Sequence, residues 1–184
     1  MKAAVLMIAV LLGSMSVAQQ AEQKPETPAA NPADVKSIDS IVSAIYDAIS
    51  GPAGQKRDWN RFRSLFWAGA RLIPLAKPPA KTGYAARLLS VEDYVSRTEP
   101  LFAKEGIYES AVANRVDQWA QIAQVFSTYE LRHARGEKPF ARGINSIQLF
   151  NDGRRWWVLN ILWLNESEQN PLPERMLRPP GGKP

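Results

Sequence analysis

The side chains most able to do chemistry lie in the second half of the chain. Asp117 is the only carboxylate that we consider as a general base on its predicted strand face. Burial beside Trp119 would raise the pKa of Asp117 toward neutrality, because desolvation disfavours the charged form of a carboxyl group. The structural alternative is an ion pair of Asp117 with Arg115 or Arg142. The sequence therefore contains one candidate base and no evident acid–base dyad.

Two asparagines are predicted to face each other within an apolar sheet surface. A two-residue turn at Asp152 and Gly153 would pair Asn145 with Asn160 across a hairpin. Buried amides need hydrogen-bond partners, and a ligand, a cavity water, the backbone or the other amide can supply them. If Asp117 acts as a base, either asparagine would be placed to polarise a carbonyl oxygen.

A second short turn, at Ala120 and Gln121, brings further candidates onto one strand face. Counting outward from this turn pairs Trp119 with Ile122 and Asp117 with Gln124. The ligand pocket predicted from the two hairpins is lined by Trp119, Gln124, Phe126, Thr128, Asn145 and Asn160.

The residues of the common metal, nucleotide and hydrolytic sites are missing from the sequence. His133 is the single histidine and there is no cysteine, so no structural zinc site is expected. Residues 51–56 lack the spacing of a phosphate-binding loop, and no Gly-x-Ser-x-Gly motif occurs. We therefore predict neither a metal nor a cofactor.

The elements that position these residues follow two periodicities. Apolar residues at three- and four-residue steps predict a helix over 35–49 with Asp34 as its cap, and a short helix after Asp58. A third helix begins at Ser90, which forms a capping box with Asp93. Short strands are predicted at 70–75 and 86–89. From residue 107 onward, apolar residues recur at every second position, as in a strand with one buried face. Long strands are expected at 108–119, 122–132, 142–150 and 154–164.

This order of elements defines the predicted fold class. Helices followed by a meander of long strands are typical of α+β proteins rather than of alternating α/β proteins. We expect three N-terminal helices packed in the concavity of a strongly curved, mainly antiparallel sheet, with a cavity at the open end.

The two ends of the chain predict export and flexible tails. A positive start, a short apolar run and a small-x-small site indicate a signal peptide at 1–18, followed by a linker at 19–33. The domain is predicted at 34–167 and a Pro-rich tail at 168–184. We expect a periplasmic or secreted protein without a stable membrane anchor after cleavage, and an uncleaved anchor is the alternative.

Composition and charge narrow the predicted partners. The net charge of +5 comes from dispersed Lys and Arg residues, and together with export this argues against nucleic acid. The local basic cluster at 132–142 is interpreted as a solvated loop, with an anion contact as the alternative.

One sheet face of the last hairpin predicts self-association. Its large apolar residues are Ile144, Phe150, Trp157, Leu159, Ile161 and Trp163. A patch of that size is rare on a soluble monomer, so a homodimer through the sheet is expected. The alternative is that residues 172–177 fold back over the patch.

Three segments resemble the nuclear transport factor 2-like superfamily: 122–130 (IAQVFSTYE), 142–149 (RGINSIQL) and 153–159 (GRRWWVL). The resemblance covers roughly residues 35–166 and implies a cystatin-like cone. The superfamily includes ketosteroid isomerases, polyketide cyclases, scytalone dehydratase, a transport factor and exported bacterial proteins of unknown role, and the chain is most similar to the last group. Gln124 stands where relatives have histidine and Ala120 where they have glycine, so the obvious acid–base imidazole is lost.

The functional prediction combines the resemblance with the candidate residues. We expect an exported binding protein, rather than an enzyme, that holds an apolar or amphipathic small molecule in the cone. An isomerase, dehydratase or cyclase that uses Asp117 as its base is the alternative.

Overall fold

The computed structural model describes residues 27–78 and 82–179. The predicted signal peptide and the first part of the linker lie outside these residues. Among the described residues, no helix is both long enough and apolar enough to cross a membrane.

Within residues 27–78 and 82–179, four α-helices precede or interrupt the long strands. They are α1 (Pro32–Val35), α2 (Ile38–Ile49), α3 (Trp59–Ser64) and α4 (Val91–Phe102). The helix predicted over 35–49 is split, because Ser37 caps α2 through reciprocal bonds with Ser40. Asp34, predicted as the cap, instead accepts a hydrogen bond from Nε of Arg61 at 2.8 Å. Asp34 therefore links α1 to α3 through its ion pair with Arg61 and does not cap α2.

The strands form one six-stranded sheet in the order β2-β1-β6-β5-β4-β3. They are β1 (Phe66–Ala76), β2 (Ala85–Ala86), β3 (Tyr108–Trp119), β4 (Ile122–Arg132), β5 (Ala141–Asn151) and β6 (Trp156–Asn165). Only the β1–β6 pair is parallel among these strands. The predicted α+β class, with helices on one face of a curved and mainly antiparallel sheet, is confirmed.

The β3–β4 hairpin has the predicted register near its turn. Trp119 pairs with Ile122 and Asp117 with Gln124. Ala120, in the turn, has a φ of 48°, a left-handed conformation that glycine adopts more readily than alanine. Farther from the turn, Val112 is an extra residue that forms a bulge.

The predicted register of the β5–β6 hairpin is wrong. The loop spans residues 152–155, because Oδ1 of Asp152 accepts hydrogen bonds from the amides of Arg154 and Arg155. Leu159 then forms a bulge, and Asn145 pairs with Trp163 instead of Asn160.

This bulge decides which β6 side chains face the helices. We call the helix-covered side of the sheet the inner face and the opposite side the outer face. Ile161 and Trp163, predicted on the outer face, pack with the core on the inner face. Asn160 lies on the outer face, where its amide donates to Oε1 of Gln148 at 2.7 Å.

The segment after β6 covers part of the outer face. A short 3₁₀ helix, Glu174–Met176, places Met176 in a buried position. The Thr128 hydroxyl donates a hydrogen bond to the Met176 carbonyl, and Glu166 accepts one from the Leu172 amide at 2.9 Å. The folding back that we considered for residues 172–177 is therefore present over one region of the sheet.

Candidate functional site

A cavity of about 320 Å³ lies between the helices and the inner face of the sheet. Its walls are mainly apolar, and exposed Leu101 and Phe140 lie at its rim. The aromatic side chains that line it are Phe62, Tyr94, Phe102, Tyr129, Phe140 and Trp163. A concave apolar site with a few polar groups is the usual form of a small-molecule pocket.

Glu109 is the inner carboxyl group of this cavity. Its backbone is held at the start of β3 by Ser50, the cap residue of α2, whose hydroxyl accepts from the Glu109 amide at 3.0 Å. Burial raises the pKa of Glu109 to about 7, and a hydrogen bond from the Asn145 amide to Oε1, at 3.0 Å, opposes that rise. Glu109 forms no ion pair within the described residues. Near neutral pH this carboxyl group can therefore hold or release a proton.

Asn145 joins Glu109 to a second polar group. Its amide also donates to the Tyr46 hydroxyl at 3.1 Å, and Tyr46 donates to Oγ of Ser127 at 2.5 Å. Burial, assisted by the negative charge of Glu109, raises the pKa of Tyr46 above its usual range. Tyr46 therefore remains a neutral hydroxyl at physiological pH.

Tyr94 and Tyr129 add two phenol groups to the cavity lining. The Tyr129 hydroxyl donates to Oδ1 of Asn165, and burial raises the pKa of both phenols. A Cβ atom added at Gly143 would collide with the Tyr129 ring, so a glycine is needed where β5 passes under it. The phenols are thus neutral groups held by packing as well as by hydrogen bonds.

A polar groove of about 710 Å³ lies on the far side of Glu109. Glu109 lines both the groove and the cavity, whereas Tyr46, Arg132 and Arg135 line the groove only. Glu109 therefore lies between an apolar compartment and a polar one.

The structure places most of the sequence-predicted site residues on the outer face. Asp117, Trp119 and Gln124 line a hollow of about 400 Å³ there. Asp117 is exposed, so the burial beside Trp119 that was predicted for it does not occur. Gln124 donates to Oγ of Ser146 at 2.8 Å.

The remaining predicted residues are divided between the two faces. Phe126 is 43% exposed on the outer face, and Thr128 is buried there beneath Met176. Asn160 is also on the outer face, and only Asn145 reaches the inner cavity. The predicted Asn145–Asn160 pair does not form, because the Leu159 bulge turns Asn160 away.

Sequence reasoning missed Glu109 for a related reason. Strict alternation from Asp117 puts Glu109 on the same face as Asp117, which is the outer one. The Val112 bulge reverses the alternation, so Glu109 pairs with Leu131 and faces inward. The available signal was weak: a lone glutamate near the start of a strand is most often solvent-exposed.

Comparison with known proteins supports the fold. No protein-family model matches the chain, and no curated protein matches it significantly in sequence. A Nostoc punctiforme protein of unknown function with a cystatin-like fold is 9% identical, with a TM-score of 0.54, over 71% of this chain and 90% of that one.

Two further solved structures are similar at lower scores. An NTF2-like protein of unknown function from Silicibacter pomeroyi is 12% identical, over 71% of this chain and 94% of that one, with a TM-score of 0.49. A candidate ketosteroid isomerase from Parabacteroides distasonis is 12% identical, over 78% of this chain and 99% of that one, with a TM-score of 0.48. The chain has a cystatin-like fold, and the fold expected from the resemblance to nuclear transport factor 2-like proteins is confirmed.

Proposed function

We propose that the chain binds a small molecule in the inner cavity. The supporting observation is an apolar, aromatic cavity whose lining includes the hydrogen-bonded side chains of Glu109 and Asn145. A carboxyl group with a strongly perturbed pKa inside a cavity is a recognised indicator of a functional site. The ligand would place its apolar body against the aromatic side chains and one polar group at Glu109.

The size of the cavity favours a compact ligand. About 320 Å³ is near the lower end of the range of small-molecule pockets, which is roughly 300–1,000 Å³. The exposed rim residues Leu101 and Phe140 give the ligand an apolar path of entry.

A thermal-shift screen of small apolar and amphipathic metabolites tests this proposal. A ligand that binds only the folded chain raises the melting temperature, in proportion to the logarithm of its concentration above Kd. We expect hits with the natural chain and their loss in Leu131→Trp, which fills the cavity.

A matched outer-face variant separates cavity binding from surface binding. Trp119→Ala changes an exposed side chain of the outer hollow and should leave every hit unchanged. Hits that survive Leu131→Trp but disappear in Trp119→Ala would place the ligand on the outer face and contradict the proposal.

A second candidate function is proton transfer by Glu109 to or from a bound ligand, as in an isomerase or dehydratase. The observation that favours it is the pKa of about 7, which suits a general base at neutral pH. Asp117, the base expected from the sequence, is exposed on the other face. Loss of deuterium from a carbon of a bound carbonyl ligand, followed by NMR, would support this function if Glu109→Gln abolishes it.

We also propose that the protein acts after export. The support is the sequence pattern at 1–18. Fractionation of cells that express a C-terminally tagged chain tests it, with a shortened, extracytoplasmic product as the expected result.

A further inference from the structure

The lining of the inner cavity has an uneven charge composition. Glu109 lies inside and Glu105 lines the cavity from an exposed position, whereas no lysine, arginine or histidine is among the described lining residues. We propose, resting on the proposed binding function, that the cavity selects an apolar ammonium cation over a neutral or anionic molecule of the same shape.

The first argument is the missing counterion of Glu109. Removing a carboxylate from water is costly unless a cation or several hydrogen-bond donors compensate it. Among the described residues, only the Asn145 amide donates to this carboxyl group, and no cation lies close enough to lower its pKa. The groups that do interact with it are the neutral phenols of Tyr46, Tyr94 and Tyr129. A ligand ammonium group would supply the absent positive charge.

The second argument is the aromatic wall. Tyr94 is stacked on Phe62, with ring centroids 5.4 Å apart, and meets Trp163 edge to face at 6.3 Å. The faces of aromatic rings are electrically negative and attract alkylammonium groups, most strongly in dry sites. Rings together with one carboxylate form the pattern by which proteins hold substituted ammonium ions.

The third argument is the position of the basic residues. Arg132 and Arg135 line the polar groove beyond Glu109 and are absent from the cavity lining. A carboxylate or phosphate ligand in the cavity would meet two glutamates and no cation, which is unfavourable. The same arrangement favours a cation.

Three compounds of one shape test the inference by isothermal titration calorimetry. They are para-trimethylammonio benzyl alcohol, its uncharged isostere para-tert-butylbenzyl alcohol, and the anion para-tert-butylbenzoate. At about pH 8, above the pKa of Glu109, the cation should bind at least tenfold more tightly than the neutral isostere. Its advantage should shrink at about pH 5, where Glu109 is protonated.

Glu109→Gln identifies the origin of the preference. This variant keeps the size and the acceptor of the side chain and should bind both uncharged and cationic compounds with similar affinity. Asp117→Asn, on the outer face, should retain the full preference. Should Glu109→Gln fold poorly, the pH dependence with the natural chain gives the same information.

The outcomes are distinguishable from those of the parent proposal. Equal or tighter binding of the neutral isostere overturns the ammonium inference and leaves binding in the cavity intact. Failure of all three compounds to bind at millimolar concentration contradicts the inference and counts against the cavity as a site for small ligands of this shape.

Discussion

Glu109 couples the stability of the folded chain to pH. Its pKa of about 7 exceeds the ordinary value of 4.5, so between these values the folded state binds more protons than the unfolded state. The free energy of unfolding must then decrease as pH rises from about 4.5 to about 7, and level off above. A shift of this size corresponds to about 3 kcal/mol.

The first prediction follows for Glu109→Gln. The variant cannot ionise, so we expect it to be more stable than the natural chain at about pH 8, by roughly 1–3 kcal/mol. Urea denaturation at a series of pH values measures this. Asp117→Asn is the control, because that carboxylate is exposed, and its curve should follow the natural chain. A decrease in stability of Glu109→Gln at about pH 8 would show that Glu109 is compensated in a way we have not identified.

Asn145 is the residue that limits the pKa of Glu109. We predict that Asn145→Leu raises the pKa of Glu109 above 7, because the only hydrogen bond from Asn145 to the carboxylate is removed. NMR titration of the labelled carboxyl carbon measures the shift. Asn160→Leu removes an outer-face amide bound to Gln148 and should leave the titration unchanged.

At the scale of elements, the β3–β4 hairpin has a strained turn. Ala120 has a φ of 48°, and left-handed backbone costs a residue with a Cβ atom roughly 1–2 kcal/mol. Ala120→Gly should therefore stabilise the chain by about 0.5–1 kcal/mol, after the greater entropy of glycine in the unfolded state is subtracted.

Thermal unfolding at fixed pH measures this gain. Ala111→Gly is the matched control at an exposed position of β3. Glycine relieves no strain there and adds entropy to the unfolded state, so this substitution should lower the melting temperature. The strain argument fails if both substitutions lower it equally.

Local sequence signals predicted most elements and failed at their irregularities. Asp58 caps α3 and Ser90 forms the predicted box with Asp93, because these signals depend on neighbours within one turn. The bounds of β3 and β4 were also predicted correctly. The bulges at Val112 and Leu159 depend on packing across the sheet, so the alternation of apolar and polar residues along each strand does not predict them.

These bulges explain the partial success at the candidate site. Of the predicted site residues, Asn145 lies in the inner cavity because it is on the regular strand β5. Glu109 and Asn160 lie beyond bulges, so alternation assigned each of them to the opposite face.

At the scale of the whole molecule, the outer face retains exposed apolar groups. Phe150 and Trp157 pack around Trp67, with centroid distances of 5.0 and 5.2 Å. Trp119 is 78% exposed and Ile122 57%, beyond the region covered by the C-terminal segment. We propose that a second copy of the chain covers this part of the sheet, as in an isologous dimer.

Sedimentation equilibrium tests the dimer. We predict a dimer at tens of micromolar and a monomer for Ile122→Lys, because a lysine at a two-fold contact meets its own copy. Leu88→Lys is the control. Leu88 is exposed on the connection before α4, so this substitution should not change the mass measured by sedimentation. A monomeric natural chain would contradict the proposal.

The Leu159 bulge also affects how this fold should be compared between proteins. The inward-facing β6 residues are even-numbered before the bulge (Trp156 and Val158) and odd-numbered after it (Ile161 and Trp163). Position along the strand alone therefore does not determine whether a residue contacts ligand or solvent. Two chains of this fold can align without a gap in the hydrophobic pattern and still line their cavities with non-equivalent residues. Deletion of Leu159 would remove the bulge without changing the lining: alternation would run directly from Val158 to Asn160, so Asn160 and Leu162 would stay on the outer face and Ile161 and Trp163 on the inner face. Transfer of a binding residue between relatives therefore requires that the bulge be located first.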